Sequence, residues 1–187
     1  LIDMTASLYP DLKKVARTKH DAAIYIGNGH GAWEASLRNT LIEGDHVLIL
    51  KTGRFAENWG AMAESIGVTV DYLDFGMQGE ATPQRVEEVL RQDTGDKIKA
   101  VLTVQTDTAS SVINDVAALR KAIDSSGRDP LFMVDCIASL GCDRFEMDAW
   151  GVDVMVAACQ KGLMTPAGIS FVYFNEKAGE ARKRAKP

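Results

Sequence analysis

Seven short apolar runs punctuate the chain, and helical patterns fill most of the intervals between them. The runs are "AAIYIG" (22–27), "HVLIL" (46–50), "VTVDYL" (68–73), "AVLTVQ" (100–105), "LFMVD" (131–135), "VDVMVAA" (152–158) and "ISFVYF" (169–174). Several are apolar at nearly every position, which leaves no face for water and marks strands covered on both sides. Between them, "GAWEASLRNTL" (31–41), "RFAENWGAMAESI" (54–66), "TPQRVEEVLRQ" (82–92) and "INDVAALRKAID" (113–124) read as helices. Such alternation predicts an α/β fold: a mostly parallel sheet of about seven strands with helices on both faces. Thr82-Pro83 reads as an N-cap with proline at the first helical position.

Composition narrows the partners. With 187 residues, 46% hydrophobic and 25% charged, the chain can build one sizeable core, so residues 1–187 are expected to form a single large domain. There are 26 acidic residues against 21 basic ones, a net charge of −5, and no long basic run. Nucleic acid and anionic membrane surfaces are therefore poor partners, and small molecules fit better. No apolar run has the length a bilayer demands, and the opening "LIDMTASLYPDLKK" lacks a signal peptide's basic-then-apolar layout. Three cysteines without CxxC spacing argue against a disulfide framework or a zinc site and for a reducing, cytoplasmic compartment. The first residue is not methionine and the charged tail "EKAGEARKRAKP" reads as a solvated helix, so the chain is expected to be a piece of a longer one.

In open α/β sheets ligands gather beyond the carboxyl ends of the strands. Four segments there carry chemistry. "IGNGHGAWEA" (26–35) takes a strand through three glycines into a helix, whose free N–H groups suit a phosphate, although a ligand-free tight turn uses glycine too. It is not the dinucleotide GxGxxG, because Trp33 and Glu34 stand where the third glycine should fall. In "VDCIASLG" (134–141) an aspartate, Asp135, ends a buried strand, where it either meets a cation or caps the next turn. "VQTDTASS" (104–111) is a hydroxyl-rich loop able to satisfy its own backbone. "VAACQKGLMTPAG" (156–168) sets Lys161 among small apolar residues, where a desolvated amine can condense with an aldehyde; a lysine whose stem merely covers apolar surface is the alternative.

Together these four segments match what pyridoxal phosphate requires: a phosphate anchor, an acid by the ring nitrogen, a donor near the ring oxygen and an amine for the aldehyde. Their order and spacing resemble the class V aminotransferases among the fold-type I pyridoxal-phosphate enzymes, in particular the alanine–glyoxylate and serine–glyoxylate group. The resemblance runs from "GNGHGAWEASLRNTLIEGDHVLIL" through "GRFAENW" and "VDCIASLG" to "CQKGLMTPAG".

The resemblance implies roles for particular residues. Lys161 would carry the cofactor and act as general base, and Asp135 would keep the pyridine nitrogen protonated. Asn28, Gly29, His30 and Gln160 would contact the phosphate, and Thr108 would place a hydroxyl near the ring. Phe55 would stack on one ring face and Ile137 press on the other. His30 has no second ligand at metal spacing and is kept as a phosphate-turn residue. The implied reaction moves an amino group from serine, alanine or a similar amino acid to a keto acid such as glyoxylate or pyruvate by a ping-pong route, within a homodimer. The chain would then be the cofactor-binding large domain, without the small C-terminal domain and an N-terminal segment. Departures from the family pattern, "QTDT" (105–108) in place of His-x-Glu-Thr and "TPAG" in place of Pro-Pro-Gly, bear on substrate preference. A lyase or desulfurase of the same fold, and a phosphate-binding module without covalent chemistry, are the alternatives.

Overall fold

The computed structural model describes residues 2–185. Helix α1 (Ile2–Ala16) is followed by β1 (Asp21–Ile26), α2 (Gly29–Thr40), β2 (His46–Lys51), α3 (Arg54–Ser65), β3 (Thr69–Asp74), α4 (Pro83–Gln92) and β4 (Ile98–Val104). A small hairpin of β5 (Thr106–Asp107) and β6 (Val112–Ile113) leads to α5 (Val116–Ser125), β7 (Leu131–Asp135), β8 (Val154–Ala158), β9 (Ile169–Phe174) and α6 (Glu176–Arg182). The seven long strands form one sheet in the order β1-β9-β8-β7-β4-β2-β3, as the alternation of apolar runs predicts. Pairing is parallel from β8 across to β3, while β9 runs against both of its neighbours, β8 and β1. β1 thus points the same way as the parallel strands, and six carboxyl ends share one edge.

The central apolar runs have no polar alternation because their strands feed two cores, whereas the edge strand β3 is largely exposed. Leu48, Leu50, Val101, Phe132 and Val134 pack with α4 and α5, while Val47, Ile49, Leu102 and Met133 pack with α2 and α3. Burying both faces removes apolar area from water at roughly 25 cal/mol per Å², and it also disfavours a polar residue on either face, Thr103 and Ser170 being buried exceptions.

Some elements depart from the sequence reading. Helix α1 carries no buried stripe that would announce it, since Ile2, Met4 and Leu8 are exposed and Ala16 is its one buried residue. The β5–β6 hairpin has strands too short to show a period. Thr82 occupies the N-cap of α4, but its side chain makes no capping bond; Pro83 in the first turn and burial of Val86 and Leu90 fix that helix instead. The charged tail does begin as a helix, capped by Asn175 through the Ala178 N–H, yet Ala178 is buried, so the helix is not wholly solvated. The last two residues of that tail, 186 and 187, lie outside the described residues. Among the described residues no helix is long and apolar enough to cross a membrane.

Candidate active site

The residues that follow β1, β2, β4, β7 and β8 meet around one pocket of about 250 Å³. Asn28, Gly29, His30, Phe55, Thr108, Asp135, Ile137, Gln160 and Lys161 all line it, and Trp33 and Thr106 join them. The convergence follows from topology: strands that point the same way deliver their following loops to the same edge.

The start of α2 forms one wall. The Asn28 side chain accepts the Gly31 N–H at 3.2 Å, which caps the helix. The Gly29 and His30 N–H groups, in the first turn, have no acceptor within the helix, so this end presents donors and a positive dipole to the pocket. Gln160 adds a buried side-chain oxygen without a hydrogen-bond partner among the described residues.

Asp135 forms the floor. It is buried at the end of β7; the Ile137 N–H donates to Oδ1 at 2.6 Å and the Trp33 indole N–H donates to Oδ2 at 2.8 Å. The first bond is the turn cap that the sequence allows for, and the second ties the carboxylate to α2. Burial pushes its pKa up to about 7; the two donors pull it down and the charge of Asp107 adds to the rise. A carboxylate in this state gains from any cation brought to the pocket.

Lys161 departs from the desolvated lysine expected of its sequence context: it lines the pocket but is exposed. The small residues around it are explained by its loop. A side chain on Gly162 would fall 2.2 Å from the Leu140 carbonyl oxygen, so the turn after Lys161 lies hard against the turn after β7. The Met164 N–H closes the lysine's own turn on the Lys161 carbonyl at 2.9 Å, and the Thr165 N–H returns to the Cys159 carbonyl at 3.2 Å. The backbone around Lys161 is anchored and its amine is free to act.

Phe55 is held from a distance. Helix α3 begins after Gly53, which has no side chain to cap it, and Asp107 does so from the loop after β4: its Oδ2 accepts the Phe55 N–H at 2.9 Å and the Ala56 N–H at 3.1 Å. A negative group at a helix N-terminus is favoured by the helix dipole. A Cβ on Gly53 would lie 2.2 Å from the Asp107 Cγ, so only glycine admits this carboxylate. Gly53→Ala is therefore expected to lower stability by about 2 kcal/mol, read from urea unfolding, because the cap must be pushed aside. Thr108, next to this cap, lines the pocket with an exposed side chain.

Two contributors were not singled out from sequence. Trp33 lies one turn beyond Gly29 on the buried face of α2, and its donor-only indole must find an acceptor when buried, a signal that pointed inward without naming Asp135. Asp107 lies within "QTDT", but its bonds span 52 and 51 residues of chain, and the glycine before α3, which has no side chain to cap the helix, is the one local hint.

This fold and pocket define an α/β domain with a pocket at the carboxyl ends of its strands. Residues 15–187 match the family described as aminotransferase class-V, and the chain belongs to that family. Over 179 residues it is 39% identical to a serine–glyoxylate aminotransferase of Methylorubrum extorquens, covering 95% of this chain and 44% of that protein. It is also 39% identical over 184 residues to an L-aspartate–glyoxylate aminotransferase of Paracoccus denitrificans, covering 96% and 46%. In structure it is similar to a ureidoglycine–glyoxylate aminotransferase from Bacillus subtilis, with a TM-score of 0.91 and 26% identity over 99% of this chain and 47% of that one. The chain spans less than half the length of these relatives.

Proposed function

We propose that the intact protein is a pyridoxal-phosphate-dependent aminotransferase, and that residues 1–187 belong to its cofactor-binding large domain. The observation that carries this reading is the meeting of Lys161, Asp135 and the open end of α2 around one pocket. The residues present suit the cofactor: unpaired N–H groups and the partnerless Gln160 oxygen offer polar contacts, and a buried carboxylate waits for a cation. Asn28, Gly29, His30 and Gln160 would hold the phosphate, Thr108 the ring oxygen, Phe55 and Ile137 the two ring faces, and Lys161 the aldehyde carbon through its amine.

When bound, pyridoxal phosphate supplies an electron-accepting ring and an aldehyde that carries nitrogen between substrates. The chain's own groups divide the remaining work. Asp135 keeps a proton on the ring nitrogen by presenting its negative charge there. Lys161 Nζ takes the α-proton of the amino acid as general base and returns it in the second half of the cycle. The anchored Lys161 turn holds that amine over the pocket, and the α2 end fixes the phosphate so that the ring cannot drift. The names of the relatives support glyoxylate as acceptor and serine or aspartate as donor; alanine as a donor and pyruvate as a further acceptor belong to the same proposal. A homodimer in a reducing, cytoplasmic compartment completes the reading.

Borohydride reduction of the intact protein with pyridoxal phosphate, followed by peptide mapping, tests it. The pyridoxyl label is expected on Lys161 alone. Label on Lys51 or Lys177, or no absorbance band in visible light before reduction, overturns the reading.

A further inference from the structure

We propose that Trp33 is a positioning residue whose indole N–H fixes the Asp135 carboxylate in the direction and the charged form that the pocket uses. The inference rests on the cofactor reading of the pocket, since it concerns the carboxylate assigned there to the ring nitrogen.

The geometry leaves the indole little freedom. Trp33 is 1% exposed, stacked on Trp59 with ring centroids 6.0 Å apart and planes 17° from parallel, with Phe55 edge-on at 6.4 Å and the His30 ring at 4.6 Å. Its N–H reaches Asp135 Oδ2 at 2.8 Å across 102 residues of chain. An indole donates and cannot accept, so in this enclosure the bond has one direction, and it is stronger when the acceptor is ionised. With the Ile137 N–H on Oδ1, both carboxylate oxygens are held and the group cannot swing. One donor comes from the turn that carries the aspartate and the other from the helix that opens on the anion-binding end of the pocket. Trp33 is thereby the link that keeps these two ends of the site in register.

The other titratable groups around Asp135 do not substitute for this bond. Asp107, after β4, repels its charge; Cys136, the next residue, is a buried thiol that burial holds neutral; and His30 of α2 and Lys161 after β8 line the pocket without a hydrogen bond to it. Removing the indole N–H leaves the Ile137 N–H as the one donor that favours the ionised carboxyl.

The test uses the intact protein without cofactor. Residues 1–187 hold three tryptophans, Trp33, Trp59 and Trp150, and the indole N–H signal of Trp33 is identified among all those of the intact protein by its loss in Trp33→Phe. In the parent this nitrogen-15 signal is expected to titrate near neutrality and to stop titrating in Asp135→Asn. A signal that ignores pH in the parent, or titrates unchanged in Asp135→Asn, overturns the proposal. In Trp33→Phe the carboxyl band of Asp135, isolated by infrared difference against Asp135→Asn, is expected to titrate about one pH unit higher, a roughly tenfold shift in the ionisation equilibrium. An unmoved midpoint overturns it. If Trp33→Phe fails to fold, the parent's indole signals compared with those of Asp135→Asn carry the test, since a single indole signal should lose its titration. A different failure marks the cofactor reading: an Asp135→Asn variant that binds pyridoxal phosphate as tightly as the parent overturns the role given to the pocket, whatever the indole signal does.

Discussion

Lys161→Ala is expected to abolish amino transfer by the intact protein, by about 10⁴-fold or more, while changing its unfolding free energy by no more than about 0.5 kcal/mol. The two effects separate because of where the lysine stands. Its side chain is exposed and takes part in none of the hydrogen bonds or ion pairs among the described residues, whereas the turn that bears it is fixed by backbone bonds that alanine retains. A lysine present for its stem or for a structural ion pair would show the reverse, a loss of stability with little loss of rate. Rates with serine and glyoxylate, set beside urea unfolding of the same preparation, decide between the two. Activity within tenfold of the parent would remove Lys161 from the chemistry.

What was legible in the sequence and what was not divides along physical lines. The central strands could be read because burial on both faces favours apolar residues at nearly every position, so "HVLIL", "AVLTVQ" and "LFMVD" announce themselves. The pocket residues could be found because a shared strand direction makes every post-strand segment a candidate. The reversal of β9 was also within reach. Residues 159–168 hold no helical pattern, and a parallel partner needs a longer crossover, so a return in the opposite direction was the economical outcome. Bonds between distant segments could not be read. Nothing local says that Asp107 caps the helix beginning after Gly53, or that the Trp33 indole ends on Asp135, because each bond depends on two loops meeting in space. The exposure of Lys161 escaped for a related reason: its small neighbours answer to the close packing of Gly162 on Leu140 and not to burial of the amine.

Asp135→Asn is expected to move stability and activity in opposite directions. Burial raises the carboxyl from its ordinary value of 3.8 to about 7 in the folded protein. An acid whose folded pKa is raised costs nothing where both states are protonated; the cost grows above the unfolded pKa and is complete above the folded one. The cofactor-free parent therefore loses stability as pH rises through this window, and asparagine, which does not titrate, escapes the loss. Between about pH 5 and about pH 8 the parent should fall by roughly 2 to 3 kcal/mol relative to the variant, read as the difference between their urea unfolding curves at the two values. At the acid end the two should lie close together, because the protonated carboxyl, like the amide, offers one full acceptor to the Trp33 and Ile137 N–H groups and turns a donor-bearing atom to the other. Amino transfer should nevertheless drop by about 10³-fold or more at every pH, since a neutral amide cannot hold a proton on the ring nitrogen. Pyridoxal phosphate should reverse the parent's alkaline loss, because a cationic ring nitrogen supplies the counter-charge that the apo pocket lacks, and it should do much less for the variant. A buried carboxylate that is costly alone and compensated by its ligand belongs to a binding site and not to a turn cap. Were Asp135 only the cap of the turn after β7, its replacement would weaken folding at all pH values and leave the rate nearly intact.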